Sequence, residues 1–271
     1  QVPDVVYVHC VGYASGGPYS DFPAYDDTIQ AASGLIDLCA RTSREYEPKF
    51  IPTIVADKVS GLYATQAVLA AHIHKMRTGR GQFVEVPMFE SFVHFLMEEH
   101  LFERTYEPRS GDIGYRRIMD KERKPFPTAD GHISILAYTD KNWRDLFDLL
   151  GCPEVLSSQP VQGSLLRVQH VGAFYAAIAE RTPSRTTAEW SKLLTEINVP
   201  AMPVRKIDDV MSDPQLQAGQ FFDVVEHPTE GAYIRMRPPT RFAEFPDRDL
   251  GHAPRIGEHS DEIRAGRRVR A

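Results

Sequence analysis

The chain has 271 residues, 42% of them hydrophobic and 25% charged, with a formal net charge of -6. That length can bury a sizeable core in one or two domains, and the acidic balance offers no basic footprint for nucleic acid or anionic lipid. No apolar run approaches the roughly 20 residues a bilayer span requires, and no charged start plus apolar run resembles a signal peptide.

Val5 to Cys10 reads as a strand, followed by a loop with Gly12, Gly16 and Gly17, the place where open α/β sheets put ligands. The spacing makes no Gly-x-Gly-x-x-Gly fingerprint and no acidic ribose ligand follows, so no nicotinamide cofactor is expected. Pro52 to Glu90 carries the strongest pattern. Val59, Leu62, Leu69, Ile73 and Met76 recur at helical spacing, while Gly61, Ala64, Ala67, Ala70 and Ala71 keep the other faces narrow, so a helix buried on most sides is expected. Lys75, Arg77 and Gly79 mark its end. Phe83 to Val86 follows as a strand, then Met88 to Tyr106 as a helix with Phe92, Phe95 and Leu96 facing inward. Asp57 stands at the mouth of this αβα unit, where a charged residue is a cap, a catalyst, or both. Two strands before residue 100 are too few for a sheet that covers such apolar helices, so further chain upstream of Gln1 is expected.

Glu107 to Lys124, with Pro108, Gly111 and Gly114 among many charges, reads as a linker. From Gly131 the pattern is that of a small α+β unit: a strand at His132 to Leu136, helices at Asp140 to Leu150, Leu165 to Arg181 and Thr187 to Ile197, and an extended piece at Ala201 to Val204. A small helix follows around Asp208 to Met211, and Phe222 to Val225 and Tyr233 to Met236 are set to pair across Gly231. His72 and His74, two apart on a helix, point to different faces and imply no metal site. Cys10, Cys39 and Cys152 are odd in number and lie in apolar contexts, which suggests reduced core thiols and a cytoplasmic location. Arg267, Arg268 and Arg270 read as a solvated tail.

Six segments in order carry a resemblance. They are Val6-Tyr7 with Gly12-Tyr13-Ala14-Ser15-Gly16-Gly17-Pro18-Tyr19; Tyr25-Asp26 with Ala31, Ser33 and Gly34; Ala56-Asp57 before Gly61-Leu62-Tyr63; Arg77-Thr78-Gly79-Arg80-Gly81-Gln82; Pro125 to Gly131; and Gly257-Glu258-His259-Ser260-Asp261-Glu262-Ile263. Together they resemble the class III CoA transferases, the CaiB/BaiF type, a superfamily that also holds formyl-CoA transferases and α-methylacyl-CoA racemases. The resemblance implies an α/β fold. A Rossmann-like large domain, incomplete at its N-terminus, would span residues 1–105, a linker 106–130, a small α+β domain 131–225, and a return to the large domain 226–271. It also implies an interlocked homodimer, acyl-CoA and a carboxylic acid as substrates, coenzyme A as the group moved, and no metal.

In that family the aspartate matching Asp57 attacks the acyl-CoA thioester. The match sets Gly16, Gly17, Tyr25 and Asp26 beside CoA, and Met88, Tyr138 and Asp140 at the substrate pocket. Each also has an ordinary reading: Tyr25 as a core aromatic with a satisfied hydroxyl, Asp26 as a helix cap, Met88 as core packing, and Asp140 as the N-cap of the helix carrying Trp143. Racemases carry a histidine where Tyr25 stands, and a tyrosine with an unperturbed pKa near 10 is a poor base, so transfer is favoured over racemisation. The run of four glycines and a glutamine typical of oxalate-type formyl transferases has no counterpart between Arg109 and Asp130. Racemase or epimerase activity, and an inactive CoA-binding member, are the alternatives.

Overall fold

The computed structural model describes residues 4–157, 164–245 and 251–266; the arginines of the tail, Arg267, Arg268 and Arg270, lie outside them. The chain divides into two compact units, Gln1–Val204 and Arg205–Ala271.

The first unit opens with β1 (Val6–Val11), α1 (Asp26–Ser33), α2 (Leu35–Thr42), α3 (Val55–Thr78), β2 (Gln82–Pro87) and α4 (Met88–His100). β1 and β2 pair in parallel, with Val6 opposite Gln82 and Val11 opposite Pro87. A parallel pair needs a crossover connection, and α1 to α3 supply it. Gly34, at φ 90°, takes the left-handed turn between α1 and α2, a conformation that glycine adopts without steric cost. Gly79, at φ 72°, ends α3, its N–H bonded to the Lys75 carbonyl at 2.8 Å, as Lys75, Arg77 and the glycine suggest.

α3 differs from expectation in its burial. Its buried residues are Ala56, Val59 and Ala71, whereas Leu62, Leu69, Ile73 and Met76 are 65, 59, 44 and 66% exposed. The apolar pattern does generate a helix, but one side only meets the core of Tyr13, Ile29, Ala56, Val59 and Phe92. On the sheet, Tyr7 and Phe83 are also exposed and stack at 5.6 Å. Cys10 is exposed too, against the core placement expected of it; Cys39 is half-buried, Cys152 is buried, and all three are free thiols. On α4, Phe92 and Leu96 face inward but Phe95 is exposed, and the helix stops at His100 before a 3-10 turn over Phe102–Thr105. The following linker is not structureless. Buried His100 accepts the Tyr115 N–H at Nδ1 (3.2 Å) and the Gly114 N–H at its carbonyl (2.8 Å), and α5 (Arg116–Met119) forms directly after.

The rest of this unit is the α+β part: β3 (Phe126–Pro127), β4 (His132–Ile135), α6 (Asp140–Leu149), α7 (Glu154–Ser157), α8 (Ser164–Arg181), α9 (Thr187–Glu196) and β5 (Ala201–Pro203). β3, β4 and β5 form an antiparallel sheet with β4 in the centre. Trp143 and Phe147 of α6, Phe174 and Ile178 of α8, and Trp190 and Leu194 of α9 fill the core against Phe126, Ile133 and Ile135. Each buried side chain of this size contributes roughly 1.5–3 kcal/mol. The Trp190 indole N–H donates to the Thr182 carbonyl at 2.7 Å, so the ring is buried without an unpaired polar atom.

The second unit holds a 3-10 helix (Ile207–Ser212), α10 (Pro214–Ala218), β6 (Phe222–His227), β7 (Gly231–Met236) and α11 (Ser260–Arg264). β6 and β7 are the expected antiparallel pair, closing between His227 and Gly231. Among the described residues, no helix is long and apolar enough to cross a membrane.

Candidate functional site

Asp57 is the third residue of α3, not its cap: Val55 opens the helix and Ile54 precedes it. Ile54 has no side-chain oxygen to offer the first turn, so the cap comes from elsewhere in the chain. Asp26, at the start of α1, accepts the Ala56 N–H at 2.7 Å and the Asp57 N–H at 3.3 Å through Oδ1. Its Oδ2 accepts from the Gln30 side-chain amide at 2.5 Å. Gln30, fully buried one helical turn later, also donates to the Thr53 carbonyl (3.3 Å) and accepts the Ile51 N–H (3.1 Å). The start of α3 and the segment leading into it are thereby tied to α1 by four hydrogen bonds through two side chains. Asp26 does cap a helix, but one 30 residues away. Gln30 was not anticipated; its signal was the Asp26 carboxylate one turn earlier on the same face of α1.

The Asp57 carboxylate is exposed and has no hydrogen-bond or ion-pair partner among the described residues. Lying in the first turn, it has the favourable side of the helix dipole, an effect of roughly 0.3–1 kcal/mol. The first-turn N–H groups themselves are taken: Val55 bonds Thr53, Ala56 and Asp57 bond Asp26, and Lys58 bonds Ile54. They orient the helix start and are not vacant for a developing oxyanion.

The glycine loop after β1 is held by two carboxylates. Glu90 accepts the Ala14 N–H at 3.1 and 3.2 Å. Glu85 accepts the Ser15 N–H at 2.9 Å and also bonds the Ser15 hydroxyl; the hydroxyl first, then the N–H, hold the Glu85 carboxyl below its usual range. Gly12 lies so close to Ala24 that a Cβ there would meet the Ala24 Cβ at 2.3 Å. Gly16 takes φ 80° and, like Gly17, is exposed. Tyr25 is 75% exposed, so it is not the core aromatic of the ordinary reading. It precedes α1, its N–H bonded to the Thr28 hydroxyl at 2.9 Å. Met88 packs, half-buried, against the Tyr13, Ile29, Ala56, Val59 and Phe92 core. Asp26, Asp57, Met88 and the root of the glycine loop thus gather around the start of α3.

Tyr138 and Asp140 belong to the α+β part. Tyr138 is exposed, with the Arg117 guanidinium 5.5 Å above its ring. Burial opposes the charge on Arg117, but the hydroxyls of Tyr175 and Tyr115 beside it outweigh that and raise its pKa. Asp140 is the first residue of α6. The N-cap is Thr139, whose hydroxyl accepts the Asn142 N–H at 3.1 Å while the Asn142 side chain accepts the Thr139 N–H at 3.2 Å. No group of three or more potential metal ligands occurs among the described residues.

The start of α3 thus carries an exposed carboxylate, Asp57, on a helix end locked by the Asp26 and Gln30 side chains. Residues 1–260 match the sequence model of CoA-transferase family III, and the chain belongs to that family. Among its relatives, human succinyl-CoA:glutarate CoA-transferase is 27% identical over 96% of this chain and 59% of its own length. Succinate--glutarate CoA-transferase of Agrobacterium fabrum is 28% identical over 97% of the chain and 65% of its own length. The chain therefore spans about 60% of the length of these curated relatives. The mixed helix and strand architecture is that of the solved class III structures. Rv3272 of Mycobacterium tuberculosis superposes with a TM-score of 0.78 at 26% identity, covering 95% of this chain and 68% of that one. A CAIB/BAIF family protein from Brucella suis gives 0.74 at 27%, covering 97% and 68%.

Proposed function

We propose that this chain carries the nucleophile of a CoA transferase that moves CoA from an acyl-CoA to an organic acid. The observation that carries this reading is the exposed, unpartnered Asp57 carboxylate on a helix start fixed by Asp26 and Gln30. A carboxylate is itself a nucleophile and needs no general base to attack.

An Asp57 oxygen attacks the thioester carbonyl; the C–S bond breaks, leaving an aspartyl anhydride and CoA thiolate. The thiolate attacks the aspartyl carbonyl carbon and expels the donor acid as its carboxylate, leaving an aspartyl-CoA thioester. The acceptor carboxylate attacks that thioester, a second anhydride forms as thiolate departs, and the thiolate then takes the acceptor acyl group and frees Asp57. Proton and electron counts balance without a metal or redox cofactor. The relatives named for succinyl-CoA and glutarate support dicarboxylic acids as the substrate class.

The working unit is a homodimer in the cytoplasm. The exposed stripe of Leu62, Leu69, Ile73 and Met76 on α3 supports an apolar contact with a second copy or with further chain.

Trapping tests the reading: incubation with acyl-CoA and hydroxylamine, followed by peptide mass spectrometry, is expected to place the hydroxamate on Asp57. A label on another residue would overturn it. Exchange of the acyl-CoA α-proton with solvent, at the rate of turnover, would favour the racemase alternative instead.

A further inference from the structure

A cavity of about 230 Å³ opens in the α+β part, remote in sequence from Asp57 and lined by Arg123, Lys124, Phe126, Ser134, Leu136 and Tyr175 among others. Its floor is apolar and rigid, since Phe126, Ile135 and Tyr175 are all buried. Its rim is cationic, and no acidic residue lines it. The nearby carboxylates are already engaged. Glu122 pairs with both Lys124 and Arg44, each at 3.2 Å, and an Asp120 oxygen accepts the Glu122 N–H at 2.8 Å. The Arg123 side chain and the Ser134 hydroxyl have no partner among the described residues. Arg117, over Tyr138 and beside Tyr175, adds a further positive charge at the edge. A guanidinium without a carboxylate, a free hydroxyl and an apolar floor together match an anion with a short hydrocarbon body.

We infer that this cavity binds one carboxylate of a small aliphatic dicarboxylate. Arg123 forms the forked ion pair, Ser134 donates a hydrogen bond, and the methylene chain lies on Phe126 and Leu136. Resting on the transferase reading for its choice of acid, the cavity holds one carboxylate and leaves the other free. Arg123 is then a binding residue for the acid.

Isothermal titration of the protein with glutarate tests this, with inorganic phosphate as the second probe. Saturable glutarate binding is expected. Arg123→Gln should weaken it about tenfold or more, in keeping with the loss of a charge-assisted pair, and Leu136→Glu should abolish it by setting a negative charge on the exposed rim. Unchanged affinity in Arg123→Gln, no glutarate binding at all, or phosphate binding as tightly with the same dependence on Arg123 would overturn the assignment, the last by marking a phosphate site. The two readings fail separately. Trapping at Asp57 with Arg123-independent glutarate binding removes the cavity proposal alone. Arg123-dependent binding without trapping at Asp57 removes the transferase reading and leaves the dicarboxylate site standing.

Discussion

Replacing Asp26 by alanine removes the side chain that starts α3. The Ala56 N–H is left without its acceptor at a residue with 0% exposure, and the amide of Gln30, also at 0%, loses its 2.5 Å partner. Each unsatisfied buried donor costs about 1–3 kcal/mol, and the 3.3 Å bond to the Asp57 N–H adds little. A loss of about 3–4 kcal/mol is expected, a large share of a typical total of about 5–15 kcal/mol. Asp26→Asn keeps an acceptor for Ala56 but turns an amide toward the Gln30 amide, so its loss should be smaller, about 1–2 kcal/mol. Urea unfolding followed by circular dichroism gives both values, and amide exchange at Ala56 and Asp57 gives the local effect. Protection at these two positions should fall more than at the centre of α3. A loss below about 1 kcal/mol in Asp26→Ala, with exchange at Ala56 unchanged, would mean that the long-range cap does not hold the helix start.

Asp57→Asn should lower CoA transfer by roughly a thousandfold or more, the scale for a lost covalent nucleophile, with little change in folding; near-full activity in a steady-state assay would contradict its role. Asp130 accepts the Thr187 N–H at 2.7 Å and its hydroxyl at 2.8 Å, and the N–H first, then the hydroxyl, hold its carboxyl below the ordinary range. The ionised form is therefore favoured by folding, so its stabilisation is present above the unfolded value of about 3.9 and is lost as pH falls through the lower folded value. Melting temperatures of Asp130→Asn should depend less on pH across that window than those of the native protein. Gly81→Ala would set a Cβ 1.9 Å from the Val5 carbonyl oxygen, a backbone atom, so the start of the β1–β2 pair must shift; a cost of about 1–3 kcal/mol is expected in thermal unfolding. Sedimentation equilibrium should find a dimer, with Leu69→Lys weakening it; a monomer at all concentrations would oppose that assembly.

Local patterns made most elements legible. Period and end signals located β1, β2, α3 and the hairpin of β6 and β7 to within a residue or two, because each depends on side chains near one another in sequence. The cap of α3 was not legible in that way, since it is supplied by Asp26 across 30 residues, and no local rule connects Asp26 with Ala56. Periodicity gave the helical nature of α3 but not how many of its sides are covered, because burial depends on what packs there. Asp57 itself emerged from the order of motifs around it. The Arg123 cavity had no motif at all, since Arg123, Ser134 and Tyr175 converge only once β4 and α8 are in place.

The chain has two tryptophans, and both are buried in the α+β core: Trp143 with Phe147 and Phe174 at ring separations of 5.9 and 5.2 Å, and Trp190 against Arg185. Intrinsic indole emission is consequently a private signal of that core. The region of Asp57 carries only tyrosine and phenylalanine, so excitation at the red edge of the protein absorption band leaves it dark. Far-ultraviolet ellipticity, by contrast, sums over the helices of both regions, α3 and its neighbours as well as α6, α8 and α9. Ellipticity lost while indole emission holds therefore marks loosening outside that core, and a tryptophan placed at the exposed Tyr25 would add an emission from the site, read as the difference from the native protein.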